Sequence, residues 1–151
     1  MTEQAQQKLA IFERKLSGLT DHFVQISNNE AYDGASVFLS FSDGSKLRAD
    51  YWRLLKNNLA VLSSFDHQQQ YGLPKPIDAR ADLSRAINGA HVLTARLDKQ
   101  TGDLLFAFSG QAHLQVFNLT GYEIWDMAFA DRSGEYSNFA MSYLYEAAAA
   151  R

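Results

Sequence analysis

The stretch DLLFAFSGQAHLQVF (103–117) lies over SVFLSFSDGSKLRAD (36–50) in constant step, with Asp103 on Ser36 and no gap between. Phe108 matches Phe41, Phe106 matches Leu39 and Leu114 matches Leu47, so the apolar positions share one phase in both stretches. Alternation of period two marks a strand with one buried face. Upstream, AHVLTARL stands where HFVQIS stood, with DKQTGD replacing NNEAYDG; downstream, YEIWDMAF answers LAVLSSF. A period this long implies two structural halves rather than a solenoid. Each half alone leaves an apolar sheet face open, so the halves must pair.

Within the first half the strands follow one another closely. Val37, Leu39 and Phe41 share a face, and Asp43-Gly44 supplies a hairpin turn because glycine tolerates positive φ. KLRADYWRLL, the asparagine turn KNN and LAVLSSF follow, giving four successive strands in a meander. Before them, Ala5, Leu9, Phe12 and Leu16 form one helical stripe that ends at Gly18. Between the halves, two prolines break the chain, Asp78 caps a short helix, and Gly89 ends it. The alanine-rich end SNFAMSYLYEAAAAR predicts a final helix, since alanine has the highest helix propensity.

The sequence therefore predicts one α+β domain: an N-terminal helix (1–18), a first β half (19–72), a linker helix (73–89), a second β half (90–136) and a C-terminal helix (137–151). Each β half is expected to be a four-stranded antiparallel meander. One curved sheet, a half-barrel and a sandwich all satisfy the pattern.

Composition narrows the chemistry. The chain of 151 residues has no cysteine, which rules out a disulfide framework and a thiolate nucleophile. No stretch approaches the ~18 apolar residues of a membrane span, and the polar start has no apolar signal core, so the expectation is cytoplasmic. No basic stripe marks a nucleic-acid site. Residues 1–56 balance seven acids with seven bases, and 57–120 balance five with five. The whole net charge of −3 falls in 121–151, an acidic end suited to a basic partner.

The four histidines, His22, His67, His91 and His113, are widely separated and match no zinc spacing, so no metal or cofactor is expected. GxxxxGK[ST], GxGxxG and GxSxG are absent. SSFDHQQQYG (63–72) places Asp66 beside His67, but neighbours on an extended strand point to opposite faces. Its counterpart MAFADRSGEYS also has a phenylalanine, an aspartate, a polar run and a tyrosine, without the histidine. A strand exit used twice accounts for the shared residues and leaves His67 alone unexplained. Tyr and Trp cluster near the strand ends and bring large contact area with a polar handle, with Trp52 and Trp125 the first candidates for core. The candidate protein-contact residues are Asp66, His67, Tyr71, Glu123, Asp131, Glu135 and Tyr136.

Trp52-Arg53-Leu54, Ser63-Ser64 with Asp66-His67, Ile87-Asn88-Gly89 and the run from Gly121 to Trp125 resemble phrases of small bacterial immunity-type proteins of polymorphic toxin systems. The resemblance covers residues 20–130, with isoleucine at 87 where the pattern has leucine. It implies a non-enzymatic protein that binds and neutralises a toxin, and the acidic end adds the expectation of a toxin domain of basic character. Two other classes compete with it. One is a small hydrolase or nuclease using His67 with a nearby carboxylate; the other is a structural protein that homodimerises.

Overall fold

The computed structural model describes residues 3–27, 34–119 and 122–137, and its architecture is α+β. Helix α1 (Glu3–Ser17) precedes β1 (Val24–Ser27), β2 (Val37–Phe41), β3 (Lys46–Ala49), β4 (Trp52–Lys56) and β5 (Leu59–Ser63). Helix α2 (Ala79–Ile87) precedes β6 (Val92–Leu97), β7 (Leu104–Phe108), β8 (Ala112–Val116), β9 (Trp125–Ala128) and β10 (Gly134–Tyr136). All strand pairings are antiparallel, in two five-stranded sheets. Sheet 1 has the order β1-β2-β3-β9-β10 and sheet 2 the order β5-β4-β8-β7-β6.

This corrects the expectation of two four-stranded meanders. Each half supplies five strands and divides them between the sheets, three to one and two to the other. KLRADYWRLL is not one strand: Leu47 and Ala49 are buried, then Trp52 and Leu54, so the buried phase slips by one residue. The slip falls at Asp50-Tyr51, where the chain leaves sheet 1 and joins sheet 2. The same passage between β8 and β9 takes residues 117–124. The linker helix begins at Ala79 rather than 73. The C-terminal helix expected over 137–151 lies outside the described residues beyond Ser137.

Hydrogen bonds in the two halves match one another. Val24 N–H donates to Ala90 O at 2.9 Å and Val92 N–H to His22 O at 2.8 Å. The two bonds interchange when His22 is matched with Ala90 and Val24 with Val92. They flank a bridge between Phe23 and His91, where the two sheets touch at their β1 and β6 edges. The Trp52 indole donates to Ala35 O at 2.8 Å, and that of Trp125 to Gly102 O at 3.1 Å. Ser64 Oγ accepts from Trp52 N–H at 3.1 Å, and Ser137 Oγ from Trp125 N–H at 3.3 Å.

One core fills the space between the sheets, with Phe41 of β2 stacked on Phe106 of β7 at 5.9 Å. The helices cross over: α1 packs on β6 and α2 on β1. The buried stripe of α1 is Ala5, Leu9, Phe12 and Leu16, and Phe12 stacks on Trp125 at 5.7 Å. Each such large apolar side chain contributes about 1.5–3 kcal/mol on burial. Asp78 caps α2 by accepting from Ala81 N–H at 3.1 Å, and Ala79, Leu83 and Ile87 turn inward.

Candidate protein-binding surface

The exit of β5 is built as a capping device. Residues Ser64–Asp66 form one 3-10 turn, closed by a reciprocal box in which Ser63 Oγ accepts from Phe65 N–H and Asp66 accepts from Ser63 N–H. The other Asp66 oxygen accepts from the Tyr71 hydroxyl at 3.1 Å. Desolvation and then this bond raise the Tyr71 phenol above its ordinary value. Next, Gln68 N–H donates to Ile77 O, and Ile77 N–H to Gln69 O, both at 2.8 Å, pinning the loop onto the approach to α2.

His67 completes this device. Its side chain is only 7% exposed, and its Nδ1 accepts from Ala79 N–H at 3.1 Å, at the first turn of α2. A helix start leaves four such N–H groups without intrahelical acceptors. The imidazole thus serves as a second cap beside Asp78, and its accepting nitrogen is occupied. Replacing His67 with alanine is expected to cost about 1–2 kcal/mol, because Ala79 N–H loses its acceptor. A thermal melt checks this, with the far-ultraviolet circular dichroism unchanged at 25 °C; a neutral substitution would leave the buried ring without a structural purpose.

The acids of the second half gather around β9 and β10 on sheet 1. Asp131 accepts from Ser133 N–H at 2.9 Å and pairs with Lys15 of α1 at 2.9 Å. The Ser133 hydroxyl first, and then Lys15, hold its carboxyl well below the usual range. Glu135 pairs in register with the buried Met127, and its partial burial raises its pKa against the opposing pull of Lys8 and Lys15. Asp126 is also raised by burial, Arg48 opposing and Glu123 adding to the shift. Glu123 and Tyr136 are exposed. The seven contact residues expected from the sequence therefore fall in two groups: Asp66, His67 and Tyr71 at the β5 exit, and Glu123, Asp131, Glu135 and Tyr136 at the β9–β10 edge. Asp66, His67, Tyr71 and Asp131 are engaged in side-chain bonds within the fold.

A cluster of large apolar side chains at the β5 edge escaped the sequence reading as contact candidates. Leu59 (69% exposed) and Val61 (55%) lie on β5, and Phe65, Leu73 and the already noted Tyr71 follow it along the chain. Among the described residues no strand pairs with the outer edge of β5. An edge strand commonly carries a lysine, a proline or another charge that blocks foreign pairing. LAVLS carries none.

The outer faces of the two sheets form matching shallow hollows. On sheet 1 a hollow of about 350 Å³ lies over Ser40, Lys46, Arg48 and Asp126. Its counterpart on sheet 2, about 250 Å³, lies over Ala107, His113, Gln115, Thr94 and Arg96. Small residues at the middle, Ser40 and Ala107, leave the space. Among the described residues no group of three His, Asp or Glu side chains is placed to hold a metal ion.

No family model, curated protein or solved structure matches the chain.

Proposed function

We propose that the chain is a non-catalytic protein-binding module, and that it acts as an immunity protein which binds and neutralises a toxin. The observation that carries the binding role is the bare apolar edge of β5 with Leu59 and Val61, followed along the chain by Phe65, Tyr71 and Leu73. A strand of a partner added there gains main-chain hydrogen bonds and covers these side chains at once. The Asp66-His67 pair, the sequence's best approach to a catalytic dyad, is engaged in capping, which favours binding over hydrolysis. The immunity role itself rests on the resemblance of Trp52-Arg53-Leu54, Ser63-Ser64 and the Gly121–Trp125 run to that class. Of the acids that would meet a basic toxin, Glu123 is exposed and has no ion pair among the described residues, whereas lysines of α1 face Asp131 and Glu135.

Affinity capture from the source cells tests the binding role, with the wild-type chain compared against the double variant Leu59→Lys, Val61→Lys. Surface positions of this kind change stability by no more than about 0.5 kcal/mol. One protein retained by the wild type and lost by the variant is the expected result. Equal capture by both would remove the β5 edge from the contact. A captured protein that arrests growth when expressed alone, and is relieved by co-expression of this chain, identifies the toxin. A solution mass of two chains with no captured protein would instead favour homodimerisation.

A further inference from the structure

The division of each half between two sheets sorts the charges as well as the strands. The five strands of sheet 2 carry Arg53, Lys56, Arg96 and His113 and not one Asp or Glu. Sheet 1, by contrast, mixes Lys46 and Arg48 with Asp126 and Glu135, and Arg48 stands in register opposite Asp126. The molecule is acidic as a whole, with a net charge of −3, so the cationic sheet runs against its overall sign.

Register places both arginines on one surface. Arg53, Gln115, Leu105 and Arg96 form one row across β4, β8, β7 and β6; Leu55, His113, Ala107 and Thr94 form the next. The buried residues Leu54, Leu114 and Phe106 point the other way, so both rows face outward. Arg53 is held upright there, its guanidinium 5.4 Å from the Phe117 ring and bonded to Gln115 at 2.6 Å. Arg96 is exposed at the opposite side of the hollow. The Nδ1 of His113 is buried at the centre and has no hydrogen-bond partner among the described residues. Cations at both margins and leucines between them match a segment with carboxylates at its flanks and an apolar middle.

We propose that the outer face of sheet 2 docks an acidic, amphipathic segment of a partner protein, its carboxylates meeting Arg53 and Arg96 and its apolar side chains lying over Leu55, Leu105 and Ala107. This inference rests on the protein-binding reading and names the chemistry of the partner. It adds a contact for acidic groups on sheet 2 to the one that Glu123 offers a basic region of the partner. Single-stranded nucleic acid needs a row of aromatic platforms for its bases, and this face offers leucines with Phe117 alone.

A soluble sixteen-residue peptide rich in glutamate, with leucines at helical spacing, serves as the probe, and its lysine-for-glutamate counterpart and an oligothymidylate serve as comparisons. Titration into isotopically labelled full-length protein is followed by amide chemical shifts. Shifts confined to residues 94–96, 105–107 and 113–115 with the glutamate peptide, and none with the lysine peptide, are the expected result. Arg96→Glu with Arg53→Gln should weaken binding at least ten-fold, while Lys46→Glu on sheet 1 leaves it unchanged. Salt at 0.3 M should weaken it several-fold, since exposed charges are screened over a Debye length of less than about 10 Å. Arg96→Glu alone, at an exposed position, keeps the test valid should the double variant unfold. Shifts on sheet 1, no shifts at millimolar peptide, or equal shifts with the oligonucleotide overturn the proposal. A captured partner that is retained by Arg96→Glu but lost by the β5 edge variant would leave the binding role standing and remove this face from it.

Discussion

Replacing Trp125 with alanine is expected to cost the protein a large share of its stability. The side chain is fully buried on β9, stacks on Phe12 of α1 at 5.7 Å, and ties its indole N–H to Gly102 O at 3.1 Å. Truncation of a buried Trp or Phe to alanine costs about 3–5 kcal/mol, the lost transfer free energy plus the cavity left behind. Domains of this size hold about 5–15 kcal/mol in total. Urea unfolding measures the loss, and the variant's midpoint should fall by about 1 M or more. Trp125→Phe separates the two contributions: it keeps a ring against Phe12 and gives up the bond to Gly102, and should cost about 1–2 kcal/mol. Equal losses from the two variants would mean that the hydrogen bond, not the packing, holds this corner. Trp52 occupies the matching position in the first half, with Ala35 O as its acceptor, so Trp52→Ala should behave like Trp125→Ala.

The matched tryptophans show what the sequence does and does not make legible. The match of Val37–Phe41 with Leu104–Phe108 was readable because both strands keep an unbroken alternation. The α1 stripe was readable for the same reason, and all four of its residues are buried. Trp52 and Trp125, by contrast, fall out of step with those strands, because residues 117–124 do in the second half what Asp50-Tyr51 do in the first. A comparison held in the step that sets Phe108 on Phe41 places Trp125 opposite Asn58 and hides the equivalence. Crossing from one sheet to the other leaves only a one-residue slip in the apolar phase, between Ala49 and Trp52. That slip was present in KLRADYWRLL, but a strand bend and a strand end look alike in a single sequence.

The surface was less legible than the core for a related reason. Stretches without acids are plain in the sequence, from Tyr51 to Phe65 and from Leu104 to Leu119. Their meaning depends on β4 pairing with β8, a contact between the two halves that local pattern does not encode. His67 was a different case. Its oddity was visible, since the second half lacks a histidine at that point. Its use as an acceptor for Ala79 N–H required knowing that the loop folds back onto α2.

Gly134→Val is the sharper test of how the two halves differ. A Cβ at Gly134 would meet Met127 O at 2.5 Å and Ala128 Cα at 3.1 Å, both main-chain atoms of the neighbouring strand β9. Neither can swing aside as a flexible side chain would, so the cost should reach about 3 kcal/mol, the upper end for overpacking. Counted in step with the two tryptophans, the matching residue in the first half is Val61. There the register runs Arg53 to Ser63 and Leu54 to Leu62, then steps to Leu55 with Ala60, leaving Val61 as the extra residue of a bulge. In the second half Asp126, Met127 and Ala128 pair with Tyr136, Glu135 and Gly134 without a step. A side chain at this point goes with a bulged strand, and its absence with a straight one. Valine at 134 should therefore push β10 into the bulged form, speeding amide exchange at Glu135 and loosening the hold of Ser137 Oγ on Trp125 N–H. Slow exchange and an unchanged urea midpoint in Gly134→Val would mean that β9 yields by backbone movement instead. The converse change, Val61→Gly, removes an exposed side chain and should cost about 0.5–1 kcal/mol of backbone entropy, while taking one apolar contact from the β5 edge.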